Sequence, residues 1–165
     1  MSNEGTTVAC IGLGRMGAGI AGNIQQAGFG LRVHNRSAAK MQPFVDEGAT
    51  AAESPKDAAT GADVVVTNLM DDASVLDAVT GGDGILAGLR PGGIHVDTTT
   101  ISPRCARRLA GVHDEHGSRF VAGPVLGRPD VAAKGELRTF LAGDPGAIEA
   151  CRPVIDPYTS LVIDL

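Results

Sequence analysis

The chain has 165 residues, a formal net charge of −5, 43% hydrophobic, 20% charged and only 3% aromatic residues. This length and apolar content suit one folded domain and exclude a disordered chain, while the acidic balance argues against a nucleic-acid surface. Cys10, Cys105 and Cys151 are odd in number, far apart and without a C-x-x-C pair, so neither a disulfide framework nor a zinc site is indicated.

Thr6–Ile11 is a short β-branched run that reads as a buried strand, and Gly12-Leu-Gly-Arg-Met-Gly17 follows it at once. Met16, Ile20, Ile24 and Ala27 then recur at helical spacing up to about Gly28. Leu31–Asn35 is a second strand, Ser37 is placed to cap a helix running to Gly48, and Ala49–Ala52 is a weak edge strand. Ser54-Pro55 reads as the cap and first position of a short helix. Asp63–Asn68 is the strongest strand, followed by a helix over Asp71–Thr80 and a turn near Gly84–Leu89. Ile94–Asp97 is a strand, and Ser102-Pro103 opens a helix that runs to Gly117. Arg119–Ala122 and Leu137–Ala142 are strands with a short helix near Pro129–Lys134 between them. Asp144-Pro145 opens a helix that stops near Pro153, and Thr159–Asp164 is the last strand. Alternation of this kind predicts an α/β fold with a doubly wound, mainly parallel sheet covered by helices on both faces. No apolar run of about 18 residues and no signal peptide is present, so no membrane is implied and the cytoplasm is the expected compartment.

Gly12-x-Gly14-x-x-Gly17 stands between a strand and a helix, which is where a Rossmann-type domain holds a dinucleotide. Gly12 permits the tight turn, Gly14 leaves room for a pyrophosphate, and Gly17 lets helix and strand approach. The helix start offers free N–H groups and a partial positive charge to the phosphates. NAD binders carry a carboxylate about 20 residues further on, to accept from the ribose 2′-hydroxyl. Here that place holds His34, Asn35, Arg36 and Ser37, with Lys40 one turn along. Arg36 suits a 2′-phosphate through charge-assisted bonds, so the expected cofactor is NADP. Asn68, Leu69, Met70, Thr98–Ser102 and Gly123–Arg128 lie at other strand ends and face the same crevice.

Four motifs in order resemble the β-hydroxyacid dehydrogenase family, which includes 6-phosphogluconate and 3-hydroxyisobutyrate dehydrogenases and glyoxylate/succinic semialdehyde reductases. Gly12-Leu-Gly-Arg-Met-Gly17 is similar to G-L-G-x-M-G, and Asn35-Arg36-Ser37 to the N-R-[ST] of NADP-using members. Asp97-Thr-Thr-Thr-Ile-Ser-Pro103 is similar to D-x-S-T-x-S-P, and Ala122-Gly-Pro-Val125 through Gly135-Glu-Leu137 to A-P-V-S-G-G…G-x-L. The strand-end placement and the resemblance together make Gly12, Leu13, Gly14, Arg15, Met16, Gly17, Asn35, Arg36, Ser37, Lys40, Asn68, Leu69, Met70 and Thr99 the expected NADP-binding residues. The resemblance also implies that Thr99, Gly127 and Arg128 lie next to the substrate. Thr99 stands where the family has Ser, and Leu126-Gly127-Arg128 replaces S-G-G, which departs from the usual small 3-hydroxy-acid substrate.

In the family an all-helical domain follows the last strand and supplies a Lys as general acid/base. Lys40, Lys56 and Lys134 match no part of that motif, so no catalytic residue and no metal ligand are assigned in this chain. His34, His95, His113 and His116 show no partner pattern, and His113 and His116 read as a solvated helix face. The first expectation is therefore the NADP-binding domain, residues 1–165, of an oxidoreductase. It would transfer hydride between NADP(H) and a small hydroxy acid or its aldehyde or keto partner, and be inactive alone. The alternative is a free-standing NADP-binding module acting as a sensor or partner subunit; a flavin or S-adenosylmethionine ligand fits less well. The oligomeric state stays open between a monomer and a homo-oligomer.

Overall fold

The computed structural model describes residues 3–165. Its elements in order are β1 (Thr7–Ile11), α1 (Arg15–Gln26), β2 (Gly30–His34), α2 (Gln42–Asp46), β3 (Thr50–Ala51) and α3 (Pro55–Ala59). Then come β4 (Val64–Thr67), α4 (Asp72–Thr80), α5 (Ile85–Gly88), β5 (Ile94–Asp97), α6 (Pro103–His116) and β6 (Arg119–Ala122). The chain continues through β7 (Val125–Leu126), α7 (Pro129–Ala133), β8 (Leu137–Gly143), α8 (Pro145–Ile155) and β9 (Thr159–Asp164).

The sheet runs β3-β2-β1-β4-β5-β6-β8-β7, with β9 paired to β8. The five pairings from β3 to β6 are all parallel. Successive residues of a strand point to opposite faces, and both faces are buried here. Val8, Val64 and Val66 pack with Ile20 and Ile24 of α1 and with Val154 and Ile155 of α8. Ala9, Ile11 and Val65 pack on the other side with Ala58, Val75, Val79 and Leu109 from α3, α4 and α6. An apolar stripe on both faces is why these strands read as continuous hydrophobic runs. The apolar layers on either side place helices on both faces of the sheet.

The parallel order ends at β6. β8 runs antiparallel to both β6 and β7, and β9 then lies parallel to β8. β7 falls in a segment expected as loop, because two residues are too few to show any period. Three other expectations are corrected. The helix assigned to Ser37–Gly48 is a 3₁₀ turn over Ala38–Met41 followed by α2, and the Ser37 side chain makes no cap. Pro43 carries no N–H to continue a ladder from that turn. α8 passes through Pro153 and ends at Ile155. His113 is fully buried rather than on a solvated face. At three other helix starts the caps do form: Ser54, Ser102 and Asp144 each accept from the N–H three residues on.

Candidate functional site

The chain winds from β1 through β2 to β3, then returns to place β4 on the other side of β1. That reversal opens a crevice at the carboxyl ends of β1 and β4, the position where open α/β sheets bind ligands. The loops there meet edge to edge. Gly12 N–H donates to the His34 carbonyl, and Asn68 N–H to the Ile11 carbonyl, both at 3.0 Å.

The three glycines of the first loop have distinct surroundings. Gly12 has φ +94°, and a Cβ there would sit 2.1 Å from the Asn68 carbonyl oxygen. A Cβ on Gly17 would sit 2.1 Å from the Gly12 carbonyl oxygen. Gly14 has nothing within 4 Å of its Cβ position, so it faces open space. Gly14 is also the N-cap of α1, with no side chain to satisfy the first helical N–H groups. The first bond of that helix is from Ala18 N–H to the Gly14 carbonyl, which leaves the N–H groups of Arg15, Met16 and Gly17 ahead of the ladder. Two tight contacts around one open glycine form a cradle of backbone amides that fits a diphosphate.

At the end of β2, Asn35 Oδ1 accepts from Leu13 N–H at 2.9 Å, and Asn35 Nδ2 donates to the Ser37 carbonyl at 3.1 Å. The Asn35 amide is thereby spent on the backbone at both ends. Arg36, Ser37 and Lys40 are exposed. No described carboxylate pairs with Arg36. A free guanidinium, a hydroxyl and an ammonium on one exposed rim suit a phosphate monoester.

The loops after β4 and β5 are laced to each other. Asn68 Nδ2 donates to Thr98 Oγ1 and Leu69 N–H donates to Thr99 Oγ1, both at 2.9 Å. Thr98 Oγ1 in turn donates to the Thr67 carbonyl at 2.7 Å. Beyond them Asp72 accepts from both the N–H and the hydroxyl of Ser102, which holds its carboxyl below the ordinary range. Thr99 is 3% exposed, so its hydroxyl sits under the crevice wall rather than in the open. Met70 is 89% exposed at the tip of the same loop. Gly127 and Arg128 lie between β7 and α7, with Arg128 Nε 3.6 Å from Asp130.

Asp97, at the end of β5, was not among the expected site residues. It is 1% exposed, and its Oδ1 accepts from Thr67 Oγ1 at 2.7 Å and from Thr99 N–H at 3.2 Å. Its Oδ2 has no hydrogen-bond partner, and burial pushes its carboxyl up to about 6. The sequence signal was a carboxylate ending a short strand in which Ile94 and Val96 are apolar. Two surface hollows lie elsewhere, one beside Leu126 and Arg138 and one beside Ile148 and Arg152. Neither touches the glycine loop. Among the described residues no group of three or more metal-ligating side chains converges, and no helix is long and apolar enough to cross a membrane.

A family model described as the NAD binding domain of 6-phosphogluconate dehydrogenase matches residues 7–164. The uncharacterized oxidoreductase YfjR of Bacillus subtilis is 47% identical over 158 residues, which is 96% of this chain and 55% of that protein. The Mycobacterium tuberculosis 3-hydroxyisobutyrate dehydrogenase, solved with L-serine, has a TM-score of 0.91 at 30% identity, over 99% of this chain and 54% of its own. Psf3 in complex with NADP⁺ and 2-OPP has a TM-score of 0.90 at 31% identity, over 96% of this chain and 56% of its own. The chain thus spans about half the length of the curated relative and of both solved chains.

Proposed function

We propose, because the chain belongs to the family of the NAD-binding domain of 6-phosphogluconate dehydrogenase, that it binds NADP(H) in preference to NAD(H) across the β1–β4 crevice. The observation that carries this reading is the rim beyond β2, where Arg36 stands exposed and no carboxylate follows the strand. A carboxylate there would repel a 2′-phosphate, whereas a guanidinium pairs with one.

The amides of Gly14, Arg15, Met16 and Gly17 hold the pyrophosphate, with Gly12 making the turn that aims them and Leu13 fixed beside them by its bond to Asn35. Arg36, Ser37 and Lys40 hold the 2′-phosphate, and Asn35 ties their strand end to the glycine loop. Leu69 and Met70, with Asn68 beside them, cover the adenosine or ribose side, and Thr99 lies at the nicotinamide half. When bound, the cofactor supplies or accepts a hydride. The partner of that exchange is a small hydroxy acid or the matching aldehyde or keto acid, with Thr99, Gly127 and Arg128 nearest to it. Thr99 Oγ1 accepts from Leu69 N–H and so keeps its own proton to donate. All three cysteines are free and buried, which supports a reducing, cytoplasmic setting.

Titration of the 165-residue chain with NADPH and NADH, followed by cofactor fluorescence, tests this. NADPH should bind more tightly, and Arg36→Ala should remove most of the difference, about 10- to 100-fold for the loss of a charge-assisted contact. Equal affinity of the two cofactors for the unaltered chain would overturn the reading.

A further inference from the structure

A line of polar side chains crosses the interior of this otherwise apolar domain. Thr67, His95, Asp97, His113 and Ser118 are each at most 2% exposed. Buried polar groups require partners, and here each finds the next. Thr67 Oγ1 donates to Asp97 Oδ1 at 2.7 Å and lies 2.8 Å from His95 Nε2. His95 Nδ1 lies 3.1 Å from His113 Nε2. His113 Nδ1 lies 2.7 Å from Ser118 Oγ, and Ser118 Oγ lies 3.0 Å from Nδ1 of the half-buried His116.

The donor at one end determines the rest. Because Thr67 donates to Asp97, it must accept from His95 Nε2–H. Neutral His95 then accepts at Nδ1 from His113 Nε2–H, and His113 accepts at Nδ1 from Ser118, which accepts from His116. Burial depresses both rings, His95 well below its ordinary value and His113 to about 4, so both stay neutral and able to accept. The reversed line is equally complete. A protonated Asp97 donates to Thr67, Thr67 to His95 Nε2, His95 Nδ1–H to His113 Nε2, His113 Nδ1–H to Ser118, and Ser118 to His116. Each link is kept in both states. Passage from the first to the second takes one proton from solvent at His116 and leaves one on Asp97, each intermediate group giving one and receiving one.

We propose that Thr67, His95, His113 and Ser118 form a proton wire, through which Asp97 beneath the crevice exchanges a proton with solvent at His116. The wire enters from α6 and the start of β6, remote from the crevice loops, so a ligand in the crevice does not block it. Its consequence at the site is local. With Asp97 ionised, Thr99 N–H and the Thr67 hydroxyl both end on Oδ1. With a proton on that oxygen, the Thr67 bond reverses and the anchor of the Thr99 loop weakens. The other titratable groups that act on Asp97 and its surroundings are Asp72 from α4 and Cys105 from α6, with Arg108 acting on Cys105. From β6 the rings of His95 and His113 meet Phe120, which carries no charge.

The test is NMR of the 165-residue chain between pH 8 and 4.5, with long-range ¹⁵N–¹H spectra reporting the tautomers of His95 and His113 and the ¹³Cγ shift reporting Asp97. Both rings should be Nε2–H above the Asp97 midpoint and Nδ1–H below it, changing together without becoming imidazolium. In Thr67→Val, Asp97 should still titrate while both rings keep one tautomer. Tautomers that stay constant through the Asp97 titration of the unaltered chain would overturn the proposal, and so would a change that persists in Thr67→Val. If Thr67→Val does not fold, the spectra of the unaltered chain decide alone.

Discussion

Leu13 N–H donates to Asn35 Oδ1 at 2.9 Å, which joins the loop after β1 to the end of β2 across 22 positions of sequence. Asn35 Nδ2 donates to the Ser37 carbonyl, so one side chain sets the pyrophosphate cradle and the Arg36 rim in register. Asn35→Ala should therefore weaken NADPH and NADH together, by about 5- to 10-fold for one lost neutral hydrogen bond. Asn35→Asp keeps the acceptor for Leu13 but adds a charge beside the phosphate site. It should weaken NADPH more than NADH, and paired titrations of the two cofactors check this.

The glycines separate stability from binding. Gly17→Ala places a methyl 2.1 Å from the Gly12 carbonyl oxygen, and the α1–β1 contact must open, at about 1–3 kcal/mol. Gly14→Ala meets no atom within 4 Å and should alter stability by no more than about 0.5 kcal/mol. Its methyl would project into the cradle, so cofactor affinity should fall at least tenfold. Urea unfolding and NADPH titration of the two variants read the two effects independently.

Stability should fall on mild acidification. Burial holds His95 well below 6.5 and His113 at about 4. Below pH about 6.5 the unfolded chain therefore binds more protons than the folded one, costing up to about 1.4 kcal/mol per pH unit for each histidine. Asp97 works the other way, because its folded value is raised to about 6. Between pH 6 and 4.5 the folded state gains a proton at Asp97, which offsets roughly one histidine. Asp97→Asn removes that offset, so its stability should drop about 1.4 kcal/mol per pH unit more steeply in this window. Urea melts at half-unit pH steps measure the slope.

The crevice loops Gly12–Gly17, Asn35–Ser37, Asn68–Asp72, Thr98–Ser102 and Gly123–Arg128 carry no lysine, histidine or tyrosine. Hydride transfer to a carbonyl needs a proton donor at the developing oxyanion. The 165-residue chain by itself should therefore reduce glyoxylate or succinic semialdehyde with NADPH far below the ordinary ~10 s⁻¹ of enzymes. Absorbance of NADPH at 340 nm follows the reaction, and a rate near that value would mean that this chain holds its own acid.

The sequence alone determined the features that depend on neighbouring residues. Strand and helix alternation, the Ser54, Ser102 and Asp144 caps and the Gly12-x-Gly14-x-x-Gly17 turn were legible because each is a backbone requirement met within a few positions. The tertiary structure alone decided what rests on pairing between distant segments. No local pattern tells that β8 turns antiparallel against β6, or that β7 forms at all, since a two-residue strand exists only through its partner. The same holds for side chains. Asn35 and Thr99 look like free polar contacts in sequence but accept from Leu13 and Leu69 on the neighbouring loops. His95 and His113 look unpartnered, because β5 and α6 meet only when the sheet is covered. Burial then leaves their nitrogens nothing to bond but each other, Thr67 and Ser118.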